Sequence, residues 1–279
     1  MTPFLLALVF WLAAWATNVW LTRRGDGRWT RVLVAALFGA AILALWEGTV
    51  RGFDVPLVIL PAPTDIWARL VGEVPTLWAD FQQTFIRAVL PGYAMGCGAA
   101  ILTAIAIDRS PFLQRGLLPI GNLAAALPIV GIAPIMVMWF GFDWQSKAAV
   151  VIVMVFFPVL VNTVQGLRAA EAMQRDLMRT YAASYWQTLW KLRLPAAAPL
   201  IFNGLKICTT LALIGAIVAE FFGTPIVGMG FRISTEIGRL ALDMVWAEIA
   251  VAALAGSAFY GVVTLLERAA TFWHPGQRS

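Results

Sequence analysis

The sequence predicts an all-α fold, a polytopic bundle of about six to seven membrane-spanning helices. Two observations carry this reading. Of 279 residues, 61% are hydrophobic and only 13% are charged, whereas a soluble domain is roughly half apolar and about a quarter charged. The apolar residues also fall into runs near the ~20 residues that cross a bilayer as a helix. Lipid has to be part of the solvent.

The runs follow in order. Pro3–Thr22 comes first. A signal peptide carries positive charge before its apolar core, but here Arg23 and Arg24 come directly after it, so the segment reads as a retained span. Arg31–Val50, Thr84–Ile107, Gly116–Met138, Lys147–Gly166, Gly204–Phe222 and Met244–Leu266 complete seven candidates. The fourth is interrupted by Pro119, Pro128 and Pro134, which a membrane helix tolerates as kinks when neighbours satisfy the freed carbonyls. Cys97 and Cys208 lie inside apolar runs and read as small packing residues, not as a disulfide.

Orientation follows from the Lys and Arg distribution. Fourteen of the 20 basic residues fall on one side: Arg23, Arg24, Arg28, Arg31, Arg109, Arg115, Arg168, Arg175, Arg179, Lys191, Arg193, Lys206, Arg268 and Arg278. Six fall on the other: Arg51, Arg69, Arg87, Lys147, Arg232 and Arg239. The richer side is expected to be cytoplasmic, with the N-terminus outside and the C-terminus inside. The net charge of +5 is thus topological, and nucleic acid is not an expected partner.

Three segments between spans exceed a turn. In Arg51–Gln83, the prolines at 61 and 63 argue against helix, and Thr64 or Asp65 can cap a helix that starts near Ile66. Ile66, Leu70, Val74, Leu77, Trp78 and Phe81 recur at helical spacing, which fits either an interfacial helix or a connector. Phe222–Asp243 has loop character from Gly223, Pro225, Gly228 and Gly230, with a short helix expected over Ser234–Leu242. In Leu167–Asn203, residues 171–194 read as an amphipathic helix, possibly broken. Leu177, Tyr181, Tyr185 and Leu189 form one row, and Met178, Ala182, Trp186 and Trp190 form the next. Such a helix either lies on lipid or docks in a groove of a partner.

The spacing of that segment resembles the cytoplasmic signature of importer permeases in the binding-protein-dependent transport family. The signature runs Glu-Ala-Ala, three residues, Gly, nine residues, Ile, one residue, Leu-Pro. Here Asp176-Leu177-Met178, Ala182, Leu192 and Leu194-Pro195 occupy the same frame, and Ala183-Ser184-Tyr185-Trp186-Gln187 resembles its Gly-Ala-Ser-x-Trp-Gln stretch. Asp for Glu keeps a carboxylate, Leu-Met makes the docking face bulkier, and Ala182 for Gly weakens a tight turn. Leu60-Pro61-x-Pro63, Trp139-Phe140-Gly141, Phe157-Pro158 with Asn162-Thr163, Gly166-Leu167-Arg168 and Ile214-Gly215-Ala216-x-x-Ala219-Glu220-Phe221 resemble family blocks in the same order. The resemblance is closest to the subgroup importing nitrate, sulfonates, taurine and pyrimidine-type precursors.

The resemblance implies a type I ABC importer core, organised as spans over 1–60, a periplasmic interfacial segment over 61–83 and a permease core over 84–279. It implies a bacterial inner-membrane location, a periplasmic substrate-binding protein, a second copy of this chain and a separate ATPase that holds ATP and Mg. The ATPase-docking residues would be Asp176, Leu177, Met178, Tyr181, Ala182, Ala183, Ser184, Tyr185, Leu194 and Pro195. Gate or pathway candidates are Glu220, Asn162, Pro128, Pro134 and Trp139.

The chain has no Walker-type glycine loop and is not expected to hydrolyse ATP. The lone histidine, His274, sits in the tail, so neither a catalytic nor a metal site is expected, and no cofactor. Charges inside spans default to functional hypotheses, which singles out Glu47, Glu220 and Glu248. Glu47 and Glu248 can also simply reach the headgroups. The same glutamates open a second reading, a proton-coupled secondary carrier.

Overall fold

The computed structural model describes residues 1–25, 27–110, 112–113, 128–223 and 225–273. Every regular element among them is a helix. Among the described residues, six helices are long and apolar enough to cross a membrane: Thr2–Arg24, Arg28–Gly52, Val74–Arg109, Trp144–Arg168, Tyr185–Glu220 and Leu242–Ala270. The polytopic helical fold read from the sequence is therefore observed. Most of the fourth predicted span, with Arg115 and Pro119, lies outside the described residues, as does the tail with His274 and Arg278.

The chain forms two compact units. The first comprises Met1–Leu77 and Ile233–Ala250. Within it α1 (Thr2–Arg24) and α2 (Arg28–Gly52) form a hairpin, in which the Met1 ammonium donates to the Gly52 carbonyl at 2.8 Å and Phe4 packs on Phe53. Helix α3 (Pro63–Gly72) begins at Pro63, ahead of the predicted Ile66. A proline fits the first turn because the N–H it lacks would have no intrahelical acceptor there. Asp65, three residues past the cap, accepts the Ala62 N–H at 3.3 Å.

The same corner explains Glu47. Its carboxylate accepts from the Thr64 N–H (3.0 Å) and hydroxyl (2.8 Å), and Arg51 donates to both Glu47 (3.2 Å) and Asp65 (2.7 Å). Glu47 thus ties α2 to α3. Arg69 on α3 donates to Asp243 at 2.8 Å, and that bond raises the guanidinium pKa above its ordinary value.

The second unit comprises Trp78–Arg232 and Val251–Ser279. Helix α4 (Val74–Phe81) leads through a π-helical stretch, Gln82–Val89, into α5 (Leu90–Arg109). Position 84, the expected start of a span, lies inside this unbroken 36-residue helix. Next come α6 (Ile129–Phe140), α7 (Trp144–Arg168), α8 (Ala172–Thr180) and α9 (Tyr185–Thr188). A second π stretch, Leu189–Arg193, precedes α10 (Leu194–Glu220). Helices α11 (Met229–Gly238) and α12 (Leu242–Ala270) each run across a boundary between the units.

Both π stretches end immediately before a Leu-Pro pair, Leu90-Pro91 and Leu194-Pro195. Proline lacks the N–H for the i−4 carbonyl, and its ring collides with it. Widening the preceding turn relieves that collision: the Leu90 N–H donates to Phe85 O and the Leu194 N–H to Leu189 O, both five residues back.

Helix α7 is the packing centre of this unit. Val151, Val155, Val159 and Leu160 are fully buried among Ala100 and Ala104 of α5 and Cys208, Ala212 and Ala216 of α10. Lipid tails are as apolar as these side chains, so close van der Waals contact, not the hydrophobic effect, has to hold the helices together. Small residues permit it. A Cβ on Gly96 would stand 2.5 Å from a Val155 methyl, so only glycine allows α5 this near. The two cysteines are free and buried, as expected.

Candidate docking segment and carboxylate cluster

Residues 171–194 form a broken helix. Helix α8 ends at Thr180, and the chain turns through Tyr181–Ser184 before α9. The turn is made by Ala182 at φ +48°, in the left-handed region. The turn forms with alanine in place of glycine, and Ala182 carries its steric cost, which is the weakening expected of alanine at this position. Ser184 restarts the helix with a capping box. Its N–H donates to the Gln187 side chain at 2.8 Å, and the Gln187 N–H donates back to the Ser184 hydroxyl at 3.3 Å.

The break separates residues that a continuous helix would align. Met173, Leu177 and Tyr181 are 78%, 55% and 76% exposed, Asp176 pairs with Arg179 at 3.3 Å, and Met178 and Ala183 are half-buried. Tyr185 and Leu189 instead turn inward. Leu189 is fully buried in a cluster with Leu167, Ala197 and Ile201, flanked by Tyr185 and Leu194. Pro195 lies in the first turn of α10.

Beneath the segment sits an ion-pair network. Arg193 forks onto Asp108 at the end of α5, with both N–O distances 2.6 Å, and also donates to the Leu167 carbonyl at the end of α7 (3.0 and 2.9 Å). The Tyr185 hydroxyl donates to Asp108 at 3.0 Å. Three helices are thereby joined at the foot of the segment.

A second cluster gathers at the other end of α10. The Thr84 hydroxyl, in the first π stretch, donates to the Glu220 carboxylate at 2.8 Å. The Gly230 N–H donates to Glu220 at 2.7 Å, and the Met229 N–H donates to Thr84 at 2.8 Å. Asp80, one turn before Thr84, accepts from the Gly228 N–H (2.7 Å) and from Arg232 (2.8 Å). Glu220, Asp80 and Thr84 are all buried. A Cβ on Gly230 would sit 2.1 Å from the Ile217 carbonyl, so the loop reaches the carboxylate only as glycine. Nearby, the buried Lys147 donates to the Phe142 carbonyl (2.6 Å), to the Ser146 hydroxyl (3.2 Å) and to the Gly223 carbonyl.

The other pathway candidates lie apart from this cluster. Asn162 donates to the Pro158 carbonyl at 2.8 Å and packs its Cβ against Gly204. Pro128 precedes α6, Pro134 lies within it, and Trp139 near its end is 70% exposed. Glu248 is fully buried, which does not fit the reading in which it simply reaches the headgroups.

The family described as the binding-protein-dependent transport system inner membrane component matches residues 93–272, which hold the candidate docking segment and Glu220. The chain belongs to this family. The permease is 31% identical to the "Probable ABC transporter permease protein" of Haemophilus influenzae, over 78% of this chain and 89% of the relative. It is 28% identical to the formylaminopyrimidine transport permease protein ThiX of Halalkalibacterium halodurans, over 88% of this chain and 98% of the relative. It is also 28% identical to the taurine transport system permease protein TauC of Escherichia coli, over 84% and 87%. The relatives are transport permeases of the ABC class, and the resemblance read from the docking frame is confirmed.

Sequence reasoning about the permease missed Asp80, Thr84, Asp108 and Lys147. Asp80 and Thr84 stand four residues apart at the start of a span, a spacing that puts both on one helix face. Gly228 and Gly230 were legible as a loop but not as donors to buried carboxylates. Lys147 counted as a topological charge although it is 1% exposed.

Proposed function

We propose that the permease forms the translocation path of an ATP-driven importer for a small polar solute of the nitrate, sulfonate, taurine or pyrimidine-precursor class. A periplasmic binding protein delivers the solute, two copies of this chain line the path, and a separate ATPase hydrolyses ATP with Mg on its own surface. The chain sits in the bacterial inner membrane with its N-terminus outside and C-terminus cytoplasmic, and the ATPase grips residues 171–194.

The observation that carries this reading is the build of that segment. Exposed apolar side chains at 173, 177 and 181 stand on α8 and the turn that follows it, and the far end of the same segment is locked into α5 and α7 through Arg193 on Asp108 and on the Leu167 carbonyl. A segment that only rested on lipid would have no need of such an anchor. The relatives named for formylaminopyrimidine and taurine support the solute class.

The test is co-purification of the ATPase and its stimulation by the binding protein. Tyr181→Asp and Ala182→Trp should release the ATPase or uncouple hydrolysis from uptake while the permease stays in the membrane. Wild-type behaviour of both variants would overturn docking at this segment. Uptake that collapses with a protonophore while ATP is held constant would favour the proton-coupled carrier instead.

A further inference from the structure

The α1–α2 hairpin lies outside the matched residues 93–272, and it carries a cavity of about 270 Å³ beside its connecting loop. Thr22 at the end of α1 and Thr30 and Arg31 in the first turn of α2 line the loop end, while Val34, Ala35 and Phe38 continue the wall along α2. The lining thus changes from polar to apolar along the expected membrane normal. Arg23, Arg24 and Arg28 add charge around the loop end, against a single acid, Asp26, in the sequence.

The surroundings mark headgroup depth. Arg24 stacks over Trp20 at 3.9 Å, and Trp29 is 84% exposed; tryptophans gather at membrane–water interfaces.

We infer that this cavity binds an anionic phospholipid. The phosphate sits against Arg31, within reach of the charge that Arg28 adds at the loop end, and the start of an acyl chain lies along Val34, Ala35 and Phe38. The size agrees, since the cavity is smaller than the ~300–1,000 Å³ of sites that enclose a whole drug-sized ligand. The charge agrees too: basic pockets on the arginine-rich face of a membrane protein meet the leaflet that holds acidic lipids.

The full-length permease, purified in detergent, is titrated with phosphatidylglycerol, phosphatidylcholine or inorganic phosphate, and bound species are counted by native mass spectrometry. Phosphatidylglycerol should be retained preferentially. Arg28→Gln with Arg31→Gln should weaken it by roughly fivefold per arginine, and Arg23 and Arg24 are kept so that topology is preserved. Val34→Trp, which fills the cavity without changing charge, should remove the preference, whereas Leu33→Trp on the exposed neighbouring position should not. Equal retention by Val34→Trp and wild type would reduce the effect to diffuse attraction and overturn the site. Competition by inorganic phosphate at the same concentration would show a free-anion site and overturn the lipid assignment, as would equal retention of phosphatidylcholine.

Discussion

Ala182 holds a backbone conformation that costs an L-residue roughly 1–2 kcal/mol relative to the right-handed helix. Glycine adopts it freely, at some cost in unfolded-chain entropy, so Ala182→Gly should stabilise the turn by about 0.5–1 kcal/mol. Slower tryptic cleavage after Arg175 and Arg179 would register the gain, and faster cleavage would contradict it. Thr84 works differently, because its one hydroxyl serves both as donor to Glu220 and as acceptor from Met229. Thr84→Val leaves two buried groups unmatched and should cost on the order of 1–3 kcal/mol for each. Thr84→Ser keeps both bonds and should melt close to wild type. These roles were hidden in the sequence because they depend on partners 136 and 145 residues away.

At the scale of elements, the spans were legible and their ends were not. Apolar run length depends only on composition, and it located six long helices within a few residues apart from extensions at their ends. The extensions came from amphipathic helix that run length alone did not join to the spans. Val74–Gln83 and Tyr185–Asn203 both belong to 36-residue helices, in each of which a π turn lets the helix run on through a Leu-Pro pair. The candidate docking segment was legible as a frame and as a helix open to a break, but the hydrophobic rows did not place the break, because nothing in them marks the left-handed residue. The first π stretch also sets where Thr84 points. A π turn shifts the side-chain register by about 100° per extra residue. Pro91→Ala lets an ordinary α-turn return, so it should turn Thr84 away from Glu220, lowering uptake and, through the two buried groups left unmatched, the melting temperature as well. Unchanged uptake would detach the π turn from function.

For the whole molecule, what the composition announced was the solvent, and what the ordered family blocks announced was the trade. Neither announced the ion-pair network. Arg193 and Asp108 are 15% and 10% exposed, and removing one partner of so enclosed a pair costs about 3–5 kcal/mol. Arg193→Met should therefore lower the melting temperature strongly, and Arg193→Lys should recover only part because a single ammonium cannot fork. The same arginine has a mechanical consequence. Helix α7 is 25 residues long, or about 37 Å. It is grasped at one end by Arg193 on the Leu167 carbonyl, and near the other by its own Lys147 reaching the Gly223 carbonyl. A rod pinned at both ends cannot be shoved at one without loading the other. Whatever pulls on the foot of the docking segment tugs, through that rod, on the loop that follows Glu220.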